Sequence, residues 1–520
     1  MKKLISILLC VLLGLATMIG ATGCDVVGGG NVMHTATATN LNGRLDKEKA
    51  DLIVTFQRGG RGVLHWVDLK NKFQKETGKT VYLEGTEDAS DKAGAQWLNG
   101  VNCSDVYAVN TNPLSYIALG KIEKLNDIYN TKVSGEKTVH DMLKNDYKEF
   151  GYVKSDNIDG YYLLPQLATS GGLYYKQKIL DKAYDDAVLN GHATVNWKER
   201  APETYAELLE LVEDINKMDV NTDSNPNNNI APFIWSTEIP NYWSYLVETW
   251  FVQMIGIEKY ELYEESDNLQ YFNPESADRF EIGNATSGKK QVNYAEAKQM
   301  ALELLEGLIV ENKSHINVNS DHVTKGFQEM QALFANDKAA MIPNGTWLET
   351  ELSNKVSATK LADMRYMSVP FAPYAKTYES GEKAGEYKFI NNTLSTFSGV
   401  LIPTGAKHKD LAKDFILFMC REENLKNTSY AVRTVSAYNV EVNMDSFSQA
   451  AKDAFAVVER ADSEGGNFFY IPKKSQLAYN GKAMMWHYNA FGNMLTGQSR
   501  KSAAECITLE WERAQANFAS

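Results

Sequence analysis

The chain has 520 residues, of which 44% are hydrophobic and 23% are charged, and its formal net charge at pH 7 is −13. This length is too great for a single hydrophobic core, so two or more globular domains are expected. The acidic balance argues against binding nucleic acid or acidic polymers through a basic face, because neutralising phosphates requires clustered Lys and Arg, and it favours neutral or polar ligands.

The first residues are typical of an export signal. Two lysines precede an apolar run over 4–19, and the small residues 21–23 lead directly into Cys24. This pattern resembles a bacterial lipoprotein signal, which implies that the signal peptide 1–23 is removed and that Cys24 carries a lipid. We therefore expect a protein that is lipid-anchored at the extracellular face of the cell membrane. A single membrane-spanning anchor is the alternative, although the apolar run is shorter than the roughly 20 residues that span a bilayer.

The segment after the signal predicts a flexible linker over 24–45, because it is rich in Gly, Thr, Ala and Asn. Beyond this linker the chain contains Cys103, Cys420 and Cys506, an odd number without a CxxC pair. A disulfide framework and a cysteine zinc site are therefore not expected.

Segments typical of strands and helices alternate along the remaining chain. The runs 52–56, 80–83 and 104–109 predict strands, and the segment that ends at Phe73 predicts a helix between the first two. Apolar residues at helical spacing predict three later helices, with faces formed by Tyr205, Leu208, Leu209, Val212 and Ile215, by Leu411, Phe415, Phe418 and Met419, and by Ala504, Ile507, Trp511, Ala514 and Phe518. Strands separated by helices imply parallel β-α-β units and an α/β fold.

Several segments occur in the order found in one known family. They are 73–78 (FQKETG), 104–106 (SDV), 162–165 (YLLP) with 172–176 (GLYYK), 201–208 (APETYAEL) and 334–347 (FANDKAAMIPNGTW). In this order they resemble the family 1 extracellular solute-binding proteins of ABC transporters, to which the maltose-binding protein belongs. The resemblance covers nearly all of the chain after the linker.

The resemblance implies a two-lobed periplasmic-binding-protein-like fold with the ligand cleft between the lobes. The first lobe would contain 46–167 and about 402–470, and the second about 168–401 and 471–520. The resemblance also implies a monomeric binding protein that is not an enzyme and requires no cofactor. Its ligand would be an oligosaccharide, and its protein partners the permease subunits of an ABC importer.

Aromatic side chains are the main candidates for ligand binding, since the apolar faces of sugar rings stack on Trp and Tyr. By the resemblance, Trp347 matches a sugar-stacking tryptophan and Trp486 lies near another. A second group of candidates follows the strand-like run 231–234. It consists of three aromatic residues and one carboxylate: Trp235, Tyr242, Trp243 and Glu238. Core packing is the alternative for these rings. We expect Trp243 to face the ligand and Trp250, on the same helical spacing, to lie in the core.

Polar candidates on the first lobe follow two of the predicted strands. Arg58 and Arg61 lie in the loop QRGGRG, where glycines permit a close backbone approach and arginine supplies several donors. The loop lacks a Walker A ending and a complete dinucleotide fingerprint, which argues against a nucleotide site. By the resemblance, Asn110 and Asn112 replace an acidic and a basic sugar-binding residue, which implies neutral hydrogen bonding.

Two further polar candidates belong to the second lobe. The resemblance places Thr169 near a glutamate position of the family. Asn344 lies three residues before Trp347 in the sequence.

A calcium site is one hypothesis for the loop 219–227. Oxygen-bearing side chains recur at every second residue, at Asp219, Asn221, Asp223 and Asn225. The loop lacks the glycine and the bidentate glutamate of a calcium loop, so an Asn-rich surface turn is the alternative. A bound Ca²⁺ would have a structural role.

Motifs of catalysis are not found in the sequence: HExxH, GxSxG, Walker A and a cysteine-histidine motif are all missing. A lipid-anchored glycoside hydrolase is nevertheless an alternative, which would require two carboxylates about 5 to 10 Å apart. A surface glycan-binding lipoprotein that serves no permease is another.

Overall fold

The computed structural model describes residues 41–60, 62–86, 89–109, 113–155, 157–222, 229–234, 240–265, 268–311, 326–353, 355–393, 399–469 and 501–518. Nine of the residues singled out above lie outside these ranges and remain predictions: Cys24, Arg61, Asn110, Asn112, Asp223, Asn225, Trp235, Glu238 and Trp486.

Strands occur throughout the described part of the chain. They are β1 (Leu52–Gln57), β2 (Val81–Thr86), β3 (Val106–Val109), β4 (Lys132–Ser134), β5 (Lys137–Thr138), β6 (Tyr152–Ser155), β7 (Ile158–Tyr161), β8 (Leu164–Pro165), β9 (Leu167–Ala168), β10 (Ser170–Lys176), β11 (Ala231–Phe233), β12 (Phe280–Asn284), β13 (Gly288–Val292), β14 (Ala339–Gly345), β15 (Met364–Met367), β16 (Asn391–Thr393), β17 (Gly399–Leu401), β18 (Val435–Ser436) and β19 (Asn467–Phe469).

Helices separate many of these strands. They are α1 (Leu64–Thr77), α2 (Ala89–Asn99), α3 (Leu114–Ala118), α4 (Asn126–Asn130), α5 (Val139–Met142), α6 (Gln177–Leu189), α7 (Tyr205–Asn216), α8 (Asp219–Thr222), α9 (Ser244–Ile255), α10 (Ile257–Glu265), α11 (Tyr294–Glu306), α12 (Phe327–Ala335), α13 (Leu348–Leu352), α14 (Ala358–Ala362), α15 (Lys409–Met419), α16 (Glu422–Val432), α17 (Gln449–Glu464) and α18 (Ala503–Phe518). Short 3₁₀ helices occur at Lys47–Lys49, Asn145–Tyr147, Pro240–Trp243 and Leu269–Phe272, and a π-helical turn at Gly307–Glu311.

The first sheet has the strand order β2-β1-β3-β17-β8. β1 is parallel to β2 and to β3, and helices α1 and α2 make the connections that parallel strands require. β17 is antiparallel to both of its neighbours. The three predicted strands and the α/β architecture are therefore confirmed.

The second sheet has the order β11-β14-β10-β16-β19, with β15 also paired to β10. β10 runs antiparallel to β14, β15 and β16, whereas β11 is parallel to β14 and β19 is parallel to β16. Alternate residues of β10 belong to different apolar clusters, since Leu173 and Tyr175 lie on one face and Tyr174 on the other. The second sheet is thus covered on both faces.

Each sheet has its own hydrophobic core, which is the physical basis of a two-lobed fold. Leu52, Val54 and Phe56 of β1 belong to the core of the first sheet. β17 joins the first sheet and β19 joins the second. The change from one sheet to the other therefore occurs just before 399 and just before 467, a few residues earlier in the chain than the lobe boundaries expected near 402 and 470.

The helix α7 shows how the predicted periodicity becomes packing. Thr204 caps its first turn by accepting a hydrogen bond from the Glu207 backbone N–H. Four of the five predicted face residues are buried, Leu211 joins them, and Leu209 is only partly buried. The predicted helices at 411–419 and 504–518 are also present, as α15 and α18. Among the described residues, no helix has both the length and the apolar content of a membrane span.

A buried ion pair joins two helices that pack in the hydrophobic core of the second sheet, the second core. Glu248 of α9 and Lys298 of α11 are both fully buried, and Lys298 Nζ donates to Glu248 Oε1. The Lys298 ammonium also lies 5.1 Å from the centroid of the Phe251 ring. Separating two charges that are already out of water is far more costly than separating an exposed pair.

We predict that Lys298→Met, which leaves a carboxylate buried without its cation, lowers the free energy of unfolding by about 3 to 5 kcal/mol in urea denaturation. The control is Lys289→Met, because Lys289 and Glu281 form an exposed pair at 2.7 Å whose loss should cost about 1 kcal/mol or less. Equal losses in the two variants would contradict the prediction.

Candidate functional site

Strand direction brings several predicted residues to one edge of the second sheet. β11, β14, β16 and β19 run the same way and β10 runs opposite, so the ends of four strands meet the start of β10. Thr169, Asn344 and Trp347 lie at this second-sheet edge. Trp235 and Glu238 follow β11 in the chain and lie outside the described residues.

The carboxyl ends of β1, β2 and β3 form the corresponding first-sheet edge, the position at which α/β sheets commonly bind ligands. Arg58 follows β1 and is half-buried, and its guanidinium makes no hydrogen bond or ion pair with any described residue. Thr86 ends β2, and its buried Oγ1 has no hydrogen-bond partner in the described part of the chain. The predicted Arg61, Asn110 and Asn112 belong to loops outside the described residues.

The two edges meet at Gly60 and Trp347. A Cβ atom added at Gly60 would lie 3.3 Å from both Cγ and Cδ1 of the Trp347 ring. Nearby, Thr350 Oγ1 donates a hydrogen bond of 3.1 Å to the Val432 carbonyl, and Arg433 forms an ion pair with Glu349. The indole thus lies where the loop after β1 approaches the turn after β14.

The Trp347 side chain is held by an aromatic group of the second lobe. Its benzene ring lies over Gly345, where an added Cβ would be 2.2 Å from two ring carbons. The Tyr242 hydroxyl interacts with the indole, and the ring centroids are 6.3 Å apart at 72°. Tyr242 stacks in turn on Tyr245, with centroids 5.1 Å apart. Trp347 remains partly exposed, so part of its surface is open to a ligand.

Burial raises the pKa of the Tyr242 hydroxyl well above its ordinary value, and the nearby Glu351 carboxylate acts in the same direction, whereas the interaction with Trp347 lowers it. The hydroxyl therefore remains neutral at physiological pH, and it can donate as well as accept a hydrogen bond.

The prediction that Trp243 stacks on a ligand is wrong for this conformation. Its side chain is fully buried in the second core, and its ring packs edge-on against Phe233 with centroids 5.4 Å apart. A ring without an exposed face offers none to a sugar. Trp250 is confirmed as a core residue, with its Nε1–H donating to the Pro370 carbonyl at 3.0 Å.

The polar candidates Asn344 and Thr169 are both buried at the second-sheet edge. Asn344 Oδ1 accepts a hydrogen bond of 2.8 Å from the Gly345 backbone N–H, whereas no described residue pairs with its Nδ2. Thr169 lies between β9 and β10. Asn344 therefore retains an unused donor at the second-sheet edge.

The structure does not support a calcium loop at Asp219 and Asn221. These residues form the helical turn α8, which separates side chains two positions apart by roughly 200° around the axis. Asn221 Oδ1 accepts the Ile230 N–H at 2.7 Å, and its Nδ2 donates to the Ile215 and Ile230 carbonyls. The Asn221 amide is thus engaged in hydrogen bonds to the backbone of Ile215 and Ile230. In the described part of the chain no cluster of metal-ligating side chains occurs.

A buried polar network at the second-sheet edge is not signalled by any sequence motif. Tyr366 Oη donates to Ser170 Oγ at 3.1 Å, and Ser170 also contacts Asn391. Asn391 Nδ2 donates to Asn467 Oδ1 at 2.9 Å, and Asn467 Nδ2 donates to Asp146 Oδ2 at 2.7 Å. The one signal in the sequence is the polar run NNT at 391–393, which becomes a buried strand.

The sequence profile of the bacterial extracellular solute-binding proteins matches residues 68–455. This match spans most of the chain, so the protein belongs to that family, whose members bind solutes and are not enzymes. The identification rests on the sequence, and the two-sheet architecture agrees with it. No curated protein matches the chain in sequence.

Solved structures with the same fold include receptors for several sugars. The GacH receptor of Streptomyces glaucescens, studied unliganded and with acarbose, has 15% identity and a TM-score of 0.59, covering 90% of this chain and 98% of its own. The solute-binding protein RafE, solved with raffinose, has 16% identity and a TM-score of 0.57, covering 89% and 100%. The maltotriose-binding protein of Thermus thermophilus has 15% identity and a TM-score of 0.54, covering 89% and 99%. These likenesses establish the shared fold.

We predict that Gly345→Ala displaces the Trp347 ring, because the added methyl would overlap two ring carbons. Overpacking of this kind should cost about 1 to 3 kcal/mol of stability, measured by urea denaturation. The control is the same substitution in a Trp347→Ala background, where the overlap is removed and the cost should largely disappear. An equal cost in both backgrounds would show that the ring does not lie over Gly345.

Proposed function

We propose that this protein is the lipid-anchored, substrate-binding component of an ABC importer and that it captures oligosaccharides between its two sheet edges. The observation that carries the proposal is the partly exposed indole of Trp347 at the point where the edges meet. Aromatic rings beside unused hydrogen-bonding groups are the chemistry that carbohydrate recognition requires. The acarbose, raffinose and maltotriose named for proteins of the same fold support this ligand class.

Polar groups from both edges would supply the hydrogen bonds. Thr86 Oγ1 at the first-sheet edge and Asn344 Nδ2 at the second have no hydrogen-bond partner among the described residues, and half-buried Arg58 adds the donors of its guanidinium at the first-sheet edge. Arg61, Asn110, Asn112, Thr169, Tyr242, Glu238, Trp235 and Trp486 remain further candidates. A sugar bound by groups from both lobes would favour their approach, and the approached form would be presented to the permease.

The alternative function, a glycoside hydrolase, has less support from the described residues than sugar binding has. Glu349, the first acidic residue after Trp347 in the chain, is buried and engaged by Arg433 and Ser448. A carboxylate tied to two partners in this way is poorly placed to act as a general acid.

The deciding experiment is a calorimetric titration of the full chain with maltotriose, raffinose, xylo-oligosaccharides and chito-oligosaccharides, with reducing ends assayed in the same samples. We expect binding without cleavage. Cleavage of any sugar would replace the proposal with the hydrolase, and binding of none of them would refute an oligosaccharide ligand from this panel.

We predict that Trp347→Ala weakens binding of the sugar identified in that titration by about 1 kcal/mol or more, because a stacking surface is lost. The control is Trp250→Phe, which alters a buried tryptophan of the core and should lower the melting temperature while leaving affinity unchanged. A Trp347→Ala variant with lower stability and normal affinity would assign Trp347 to the core.

The lipid anchor is tested separately. We predict that radiolabelled palmitate is incorporated into the wild-type chain in bacterial cells and that Cys24→Ala abolishes the labelling. Cys10→Ala is the control, because Cys10 lies within the removed signal and should not affect it. Persistent labelling of Cys24→Ala would contradict lipidation at this residue.

A further inference from the structure

One buried side chain at the second-sheet edge has no role in the interactions described so far. Asn392 lies in the middle of β16 and is 1% exposed, yet neither its Nδ2 nor its Oδ1 has a hydrogen-bond partner among the residues that the structure describes. Burying an unpaired amide costs free energy, and most buried polar groups in proteins are paired. Both halves of this amide are available to a further partner.

The strand register places Asn392 in line with the aromatic group of the site. Gly171 of β10 is directly opposite Gly345 on one side and Asn392 on the other, so the side-chain directions of all three lie on one face of the sheet. The Trp347 ring covers Gly345, and the Tyr245 ring covers Gly171, where an added Cβ would be 2.6 Å from a ring carbon. Asn392 continues this row, about 10 Å from Gly345 across two strand spacings.

The neighbouring asparagine of the same strand, in contrast, is hydrogen-bonded. Asn391 points to the opposite face of the sheet, where its side chain contacts Ser170 and donates to Asn467. Asn392 faces the apolar cluster instead, beside Phe468 across the parallel pair with β19. An aliphatic residue of similar size would suit such surroundings better if the amide had no partner to bind.

We propose that Asn392 is a solute-binding residue whose amide pairs with a hydroxyl of the bound sugar, extending the site from Trp347 past Tyr245. This inference rests on the proposed function. An amide offers a donor and an acceptor together, and a neutral hydroxyl can satisfy both, whereas a carboxylate can only accept and an ammonium can only donate. Asn392 therefore selects a neutral, hydroxyl-bearing part of the solute.

The test compares Asn392→Leu with the wild-type full chain, using maltotriose, raffinose and chitotriose as probes. Leucine keeps the approximate volume and removes both polar atoms. We expect the melting temperature without sugar to be unchanged or higher, and the affinity for the sugar that binds the wild type to fall about tenfold or more. If this variant does not fold, Asn392→Ala makes the same comparison.

The matched control is Asn284→Leu, since Asn284 is a buried asparagine of a different sheet whose amide nitrogen and oxygen are both hydrogen-bonded. Its Nδ2 donates to the Ala375 carbonyl at 2.7 Å, and its Oδ1 accepts from the Thr286 and Ser287 N–H groups. We expect this variant to lose stability and to keep its affinity.

The experiment distinguishes failure of the inference about Asn392 from failure of the proposed function. Wild-type binding that Asn392→Leu leaves unchanged would overturn the inference and leave the proposed function in place. Lack of binding of every probe by the wild type would overturn both.

Discussion

Two aromatic rings of the candidate site pack directly on the backbone of glycine residues. Trp347 covers Gly345 and Tyr245 covers Gly171, where an added Cβ atom would overlap the ring, and an added Cβ at Gly60 would lie 3.3 Å from Trp347. Glycine lacks a Cβ and so permits such a close approach of ring to backbone. The placement of the Trp347 ring over β14 therefore depends on Gly345.

Strand direction then decides which polar groups surround the rings. Because four strands of the second sheet end where β10 begins, loops that are far apart in the sequence converge at one edge. The three parallel strands of the first sheet do the same on the other side. A ligand held between the edges would contact both lobes, and this is the physical basis for coupling ligand capture to a change in lobe position.

Hydrogen bonds also cross between the two bodies of structure away from the rings. Asp146, in the part of the chain that packs with the first sheet, accepts a hydrogen bond from Asn467 of β19, and the network continues through Asn391 to Ser170. Burial raises the pKa of the Asp146 carboxyl, and the Asn467 hydrogen bond opposes that rise. Each such hydrogen bond replaces one to water and therefore makes only a modest net contribution to stability.

The sequence by itself determined the repeating local structure, the family and the position of Trp347 after a buried strand. Runs of β-branched and aromatic residues located β1, β2 and β3. Apolar periodicity located α7 and α15, because burial of one helix face imposes that spacing on any chain. It could not place Trp243, whose helical spacing and aromatic chemistry fit a core residue and a ligand-facing residue equally well. It gave no sign that Asn392 is buried, since the polar run NNT at 391–393 carries no periodic apolar signal. Only the tertiary structure showed that Trp243 and Asn392 are buried and that Asp219 and Asn221 lie in a helical turn, because burial and hydrogen-bond partners are set by segments distant in the sequence.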